Sequence, residues 1–335
     1  MDYYLGWSGW NYGYTLDKGG WLDIFYPTKD TKRLRYYSEF FNTLEMDSTF
    51  YEEFYSKMDK GLFFGMVKAT PQNFEFSIKV PERITHRKKL DINKDVIADF
   101  NEFLDKISPL YHSGKLGAIL IQLPPSFSIE YFNTLEKFLE NLPRRPEEES
   151  NESDNITSKQ ANNEYQYAIE FRHPSWNTEG PLELLKHNNI ANVITDSREK
   201  ENLSFLSNSI VSSTDHSFVR FHGRNTSGGH YWYNYLYSKK ELEPWVPKVK
   251  KLKKQTKILR IYFNNHYGGK AIINALQFKE MSGSSLNDRE EDSTKCRKLL
   301  SLSLIDYFGI RILFRLFWVE LRWMEKVILL SCRFR

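Results

Sequence analysis

The stretch Tyr167–Trp176, YAIEFRHPSW, limits what this chain can fold into more than any other ten residues. Strand alternation puts Tyr167, Ile169 and Phe171 on one face and Ala168, Glu170 and Arg172 on the other, and Pro174 ends the extended run. Such a strand covers one side with apolar groups and delivers charge to its C-terminal end on the other. The design recurs at Tyr3–Ser8, Asn42–Ser48, Phe74–Val80, Leu116–Leu123, Ile190–Asp196, Ser217–Gly223 and Lys257–Phe263. Leu116–Leu123 is apolar on both faces until Gln122, as a strand of a buried parallel sheet should be.

Between these strands the apolar spacing turns helical at Thr31–Phe41, Tyr51–Lys60, Val96–Ile107, Glu130–Leu142, Pro181–His187, Lys239–Lys254 and Lys270–Phe278. Parallel strands need crossovers of this kind. Eight strands with interleaved helices predict the α/β class and a TIM-type (β/α)8 barrel. A doubly wound open sheet is the alternative, but no GxGxxG follows the first strand.

The barrel is expected over residues 1–281, interrupted at 144–166 by a polar run rich in Glu, Asn and Ser that reads as a disordered surface insertion. Residues 282–335 form a separate linker and tail. Within Leu299–Leu330, Arg311, Arg315, Arg322 and Lys326 fall in one basic stripe, which suits an amphipathic helix against a membrane surface or a partner, and charges interrupt any transmembrane span. That tail holds ten Lys/Arg and seven Asp/Glu, so most of the net charge of +4 lies there and the body is nearly neutral. A neutral body argues against nucleic acid as a partner. Both cysteines, Cys296 and Cys332, are in the tail, which excludes a disulfide-stapled or Cys-zinc body. The opening MDYYLGWSGW has neither a basic nor an apolar signal region, so a cytoplasmic location is expected.

In a parallel barrel the functional groups collect at the C-terminal strand ends. Alternation then nominates Ser8, Glu45, Asp47, Lys79, Gln122, Glu170, Arg172, Asp196, Arg220, His222 and Asn264 as lumen-facing, with His86, His173, Arg224, Asn265 and His266 just beyond the strands. Burying so many polar groups costs several kcal/mol per ion, so a barrel built for stability alone would use Val, Ile and Leu. Glu170 or Glu45 is the candidate general base and His222 or His173 the candidate acid. Lys79, Arg172, Arg220 and Arg224 are the candidate anion-binding cations, joined by Gln122, Asp196, Asn264, Asn265 and His266, with Trp10 and Tyr12 roofing the pocket. No cofactor is expected. A divalent metal on Glu45, Glu170, Asp196, His222 and His266 is the less favoured reading, because no HExxH-type spacing supports it and the nearby cations compete.

Taken in order, these segments resemble the YecE-like family, domain of unknown function 72. The likeness runs through GWSGWNY at Gly6–Tyr12, FYP at Phe25–Pro27, FNTLEMDSTFY at Phe41–Tyr51 and FSIKVPERITH at Phe76–His86. It continues through LIQLPPSF at Leu120–Phe127, AIEFRHPSW at Ala168–Trp176, VRFHGR at Val219–Arg224 and YFNNHYGGKAIINA at Tyr262–Ala275. The resemblance implies a TIM-type barrel and supplies no reaction. It departs at Asp47, where the family pattern implies Asn, at the long insertion, and beyond residue 281.

The residues thus point to an enzyme acting on a small anionic metabolite, phosphate or carboxylate bearing, by acid–base or hydrolytic chemistry. Hydrolase, lyase and isomerase classes are all open to this residue set. The first alternative is a barrel that binds or senses a small ligand without turning it over. The second is a nucleic-acid-processing protein that stacks bases on Trp10, Tyr12, Trp232 and Tyr233.

Overall fold

A computed structural model describes residues 2–146, 164–198, 211–225 and 233–282. The basic stripe of the tail, Trp232 and most of the polar insertion lie outside the described residues. The strands are β1 (Asp2–Trp7), β2 (Thr43–Met46), β3 (Glu75–Lys79), β4 (Leu116–Gln122), β5 (Gln166–Glu170), β6 (Ala191–Ser197), β7 (His216–Gly223) and β8 (Ile258–Phe263). They pair in parallel in the order β1-β8-β7-β6-β5-β4-β3-β2. The last seam, between β1 and β2, is closed by a parallel bridge from Ser8 to Glu45. The eight-stranded α/β barrel expected from the sequence is therefore the fold.

That seam has its own device. The Tyr37 hydroxyl enters it, accepting from the Trp7 amide at 3.3 Å and donating to the Thr43 carbonyl at 2.7 Å. The backbones come close enough that a Cβ on Gly6 would stand 2.4 Å from the Thr43 carbonyl oxygen. Only glycine fits there, because any side chain would open the barrel.

Inside the barrel the residues form three levels. At the waist Ala118, Leu120, Ala168, Ala191, Val193, Phe218 and Tyr262 make a compact apolar plug. Three alanines leave room for the rings of Phe218 and Tyr262, whose centroids are 5.1 Å apart. Interiors pack to crystal-like density, so one large ring is matched by small partners opposite. Below the plug, at the N-terminal strand ends, Arg260 donates to both oxygens of Glu75, from Nε at 2.6 Å and from Nη2 at 3.0 Å. Beside that pair His216 donates from Nε2 to the Tyr167 carbonyl at 3.1 Å. Above the plug lies the polar cluster described next. Outward-facing residues such as Ile119, Ile121, Tyr167, Ile169, Phe221 and Phe263 join the main core between sheet and helices.

The helices differ from expectation in two places. The long Lys239–Lys254 helix is two pieces, Lys239–Leu242 and Trp245–Lys253. Pro244 lacks an amide hydrogen and cannot continue the ladder, while Ser238 and Glu241 cap the first piece reciprocally. The segment expected at Tyr51–Lys60 is a single turn, Glu52–Tyr55, followed by a longer helix at Lys60–Ala69, whose start is capped by Asp59 accepting from the Leu62 amide at 3.0 Å. Asp59 was a legible start signal. The weak apolar periodicity of KGLFFGMVKA, with Phe64 and Leu62 exposed, concealed the helix behind it.

Candidate active site at the barrel mouth

Arg220 stands at the centre of the upper level. It sits in β7 two residues above Phe218 of the plug, so strand periodicity aims it into the lumen. Its guanidinium donates to Glu45 from Nε at 2.8 Å and from Nη2 at 2.6 Å, and to Glu170 from Nη1 at 2.5 Å. Arg220, Glu45 and Glu170 are all at most 1% exposed. Charges this deeply desolvated persist only when every one is paired, and here the fork of one arginine satisfies two carboxylates.

Further donors reach both carboxylates. Ser8 Oγ donates to Glu45 Oε1 at 2.7 Å. Glu170 Oε1 receives Gln122 Nε2 at 2.7 Å, Arg172 Nε at 3.0 Å and His222 Nε2 at 3.1 Å. Asn264 Nδ2 donates to His222 Nδ1 at 3.1 Å. That pattern fits a neutral imidazole carrying its proton on Nε2, pointed at Glu170. Burial pushes the His222 pKa down, and the attraction of Glu170 only partly offsets it. Burial would raise the Glu170 carboxyl, but Arg220, His222 and Arg172 outweigh it and hold the group well below the ordinary carboxylate range.

Lys79 ends β3 on the same rim. Its ammonium stands 3.5 Å above the centroid of the Phe50 ring. Burial, with repulsion from Arg220 and Arg172, lowers its pKa to about 7. Near it, Asp47 has its carboxyl raised, by burial first, against the pull of Lys79. His86 packs edge-on to Phe50 at 4.8 Å and accepts from or donates to Thr85 Oγ1 at 2.9 Å, and burial lowers its pKa to about 4.

A cleft opens beside the Glu170–His222 pair. Its walls are Pro125, Arg172, Thr195, Ser197, Tyr233 and the rim of β7. Above the mouth His266 is stacked between Tyr12, at 4.8 Å, and Tyr233, at 4.7 Å. Burial lowers the His266 pKa to about 4. Trp10 lies beside this roof, and its carbonyl accepts from the Tyr26 hydroxyl at 2.5 Å.

The lumen cluster therefore joins Ser8, Glu45, Gln122, Glu170, Arg172, Arg220, His222 and Asn264 in one network, with Lys79 alongside. Four nominated residues stand apart. Asp196 was expected in the lumen and points outward instead, because Ala191 and Val193 of the same strand face the plug and fix the parity. Its carboxylate receives Arg224 Nε and Nη2 at 2.8 and 2.6 Å, the Tyr237 hydroxyl at 2.9 Å and Trp245 Nε1 at 2.8 Å. Asp196 and Arg224 thus fasten the helix Trp245–Lys253 and the Tyr237 segment to the barrel wall. Asn265 is also outside the lumen, donating to the Tyr235 carbonyl at 2.7 Å and to Asn274 Oδ1 at 2.8 Å. His173 caps the turn Pro174–Trp176, its Nδ1 accepting from the Ser175 amide at 3.2 Å.

Thr195 and Ser197 were missed as cleft residues. Counting by twos from the small apolar Ala191 would have found them. The donor set for a divalent metal does not assemble: Arg220 fills the space between Glu45 and Glu170, and Asp196 faces the other way. Among the described residues no three His, Cys, Asp or Glu side chains gather as metal ligands would.

Comparison with known proteins agrees with this architecture. The profile of the family described as "Protein of unknown function DUF72" matches residues 4–296. The UPF0759 protein YunF of Bacillus subtilis is 28% identical over 300 residues, spanning 83% of this chain and 94% of its own. The UPF0759 protein YecE of Escherichia coli K12 is 27% identical over 170 residues, 49% of this chain and 52% of its own. A crystal structure of a DUF72 family protein from Thermotoga maritima superposes with a TM-score of 0.65 at 31% identity, covering 84% of this chain and 99% of that one. One from Enterococcus faecalis does so at 0.61 and 25%, covering 86% and 98%.

Proposed function

This chain belongs to the DUF72 family, whose description names no reaction, and on that premise we propose that its barrel mouth is the active site of an enzyme for small anionic metabolites. The substrate carries a phosphate or carboxylate, and the chemistry is acid–base or hydrolytic. One observation carries the reading: a neutral, buried imidazole, His222, is oriented by Asn264 on one nitrogen and Glu170 on the other, on the wall of an open cleft.

In this reading the substrate displaces the Asn264 amide from His222 Nδ1, that nitrogen takes the proton, and Glu170 holds the imidazolium charge that forms. Arg220 is fully occupied by Glu45 and Glu170, so it fixes their geometry rather than gripping substrate. Arg172 is the better anion anchor. Only its Nε is engaged among the described residues, and its side chain is 27% exposed on the cleft. Bidentate capture of a phosphate or carboxylate suits the two Nη groups that remain.

The test is a panel of phosphate esters and small carboxylic acids, with loss of substrate followed by mass spectrometry. Turnover should fall by about 100-fold or more in His222→Asn and in Glu170→Gln, with the fold retained. A second reading has its own support: Glu45 and Glu170 are saturated by donors, which also suits a barrel that holds a ligand unchanged. That reading predicts a small molecule retained through purification, released intact on denaturation, and no turnover of it.

A further inference from the structure

Among the described residues Lys79 makes no direct ion pair with a carboxylate. Arg220 is matched with Glu45 and Glu170, and Arg172 with Glu170, whereas Lys79 and Asp47 attract each other without such a contact. The Lys79 side chain is 8% exposed, and among the described residues its Nζ makes no hydrogen bond or salt bridge; its near neighbour is the face of Phe50 at 3.5 Å. A lysine placed only to hold the fold would be given an acceptor, as Lys115 is by the Val67 and Thr70 carbonyls, both at 2.8 Å. Two guanidiniums, Arg220 and Arg172, also repel a charge at Lys79. An amine that is buried, unpaired and crowded by cations is in the setting that turns lysine from a point charge into a nucleophile.

We propose that Lys79 is an imine-forming residue, condensing with the carbonyl group of an aldehyde or keto compound that also bears an anionic group. This rests on the reading of the mouth as an active site and names the substrate class within it. The neutral amine attacks the carbonyl carbon, the carbonyl π pair moves to oxygen, and a proton passes from the new ammonium nitrogen to that oxygen to give the neutral carbinolamine. One further proton, taken up from solvent, reaches the hydroxyl, water leaves, and a protonated imine remains. No oxidant or reductant enters, and one water leaves per imine formed. Asp47, whose carboxyl interacts with Lys79, is the neighbouring group that relays protons between nitrogen, oxygen and solvent. Arg172 holds the anionic end in the cleft. The Phe50 ring fits the flat face of a conjugated imine.

The shifted amine agrees with this role. With a pKa lowered to about 7, a substantial share of Lys79 is a free amine at neutral pH, whereas an unperturbed lysine has almost none.

The experiment treats the full chain with pyruvate, glyoxylate or dihydroxyacetone phosphate, reduces it with sodium borohydride, and maps the adducts by peptide mass spectrometry. Lys79 should be labelled at least tenfold more than the exposed Lys68, with half-maximal labelling near pH 7. Lys79→Arg should lose the adduct while keeping the far-UV circular dichroism of the folded chain. Labelling of Lys79 no greater than that of Lys68 with all three probes overturns the inference. If phosphate esters are nevertheless turned over through His222, the acid–base reading stands and only the imine falls. If Lys79 is labelled but His222→Asn and Glu170→Gln leave every turnover unchanged, the imine stands and the acid–base assignment falls.

Discussion

Arg220 reaches across the lumen from β7 to grip Glu45 of β2 with two nitrogens, Nε at 2.8 Å and Nη2 at 2.6 Å. The pair spans strands three places apart in the ring. It therefore holds the upper lumen at a fixed width, and the Nη1 left over fixes Glu170 at 2.5 Å. This one guanidinium decides where the rest of the mouth stands.

Removing it should be costly. Arg220→Met leaves two carboxylates in a dry interior, and breaking a buried pair in this way costs about 3–5 kcal/mol. Denaturant titration should show a lowered midpoint. A midpoint within experimental error of the wild type would mean that the carboxylates are held by something other than Arg220.

Glu170 should make the protein acid-sensitive in a defined window. Its folded pKa lies well below the ordinary glutamate value of 4.5, so the stabilisation is fully present above about 4.5. It is lost as pH falls toward the folded value. The stability gap between wild type and Glu170→Gln should thus be constant above about pH 5 and shrink below it. A gap that widens on acidification would reverse the sign and remove Arg220 as the cause.

His266 should contribute in the opposite half of the acid range. Burial lowers its pKa from 6.5 to about 4. The unfolded chain takes up a proton below pH 6.5 that the folded chain refuses, so stability is full above 6.5 and falls as pH drops toward 4. His266→Gln should flatten that part of the curve. NMR titration of the imidazole gives the direct check, with a midpoint near 6 refuting the stacked, half-buried position between Tyr12 and Tyr233.

Asp196 should behave as a fastener and not as a site residue. Asp196→Ala frees the part-exposed Arg224 and removes the acceptor of the buried Tyr237 hydroxyl and Trp245 Nε1, and leaving a buried donor unmatched costs about 1–3 kcal/mol. Stability should drop while phosphate binding at the mouth is kept. Equal losses of binding in Asp196→Ala and Arg172→Ala would return Asp196 to the functional cluster.

The waist should resist enlargement. Ala168→Leu forces extra methylenes against Phe218 and Tyr262, and overpacking of this kind costs about 1–3 kcal/mol. Thermal unfolding measures it. A more stable variant would show that the plug contains a void.

Much of this was legible in the chain before any coordinates. Alternation over YAIEFRHPSW and VRFHGR put Glu170, Arg220 and His222 on one face, because the period of a strand is a local property. Parity failed at Asp196, where Ala191–Ser197 is buried on both faces and no polar side marks the lumen. The Glu75–Arg260 pair obeys the same alternation, but it sits at the N-terminal strand ends, where the search for function does not look. Pro244 was visible, and the amphipathic spacing around it still suggested one continuous helix.

The sequence by itself determined the eight strands, their order of appearance and the inward aim of the charges at the mouth, since each follows from spacing within a few residues. Only the tertiary structure decided that Arg220 would be shared by two carboxylates, that Asp196 would turn away, and that Lys79 would be left with a phenyl ring in place of an acid. Those outcomes depend on which strands become neighbours across the lumen, between residues as far apart as Glu45 and Arg220, and on how much water the closed ring shuts out.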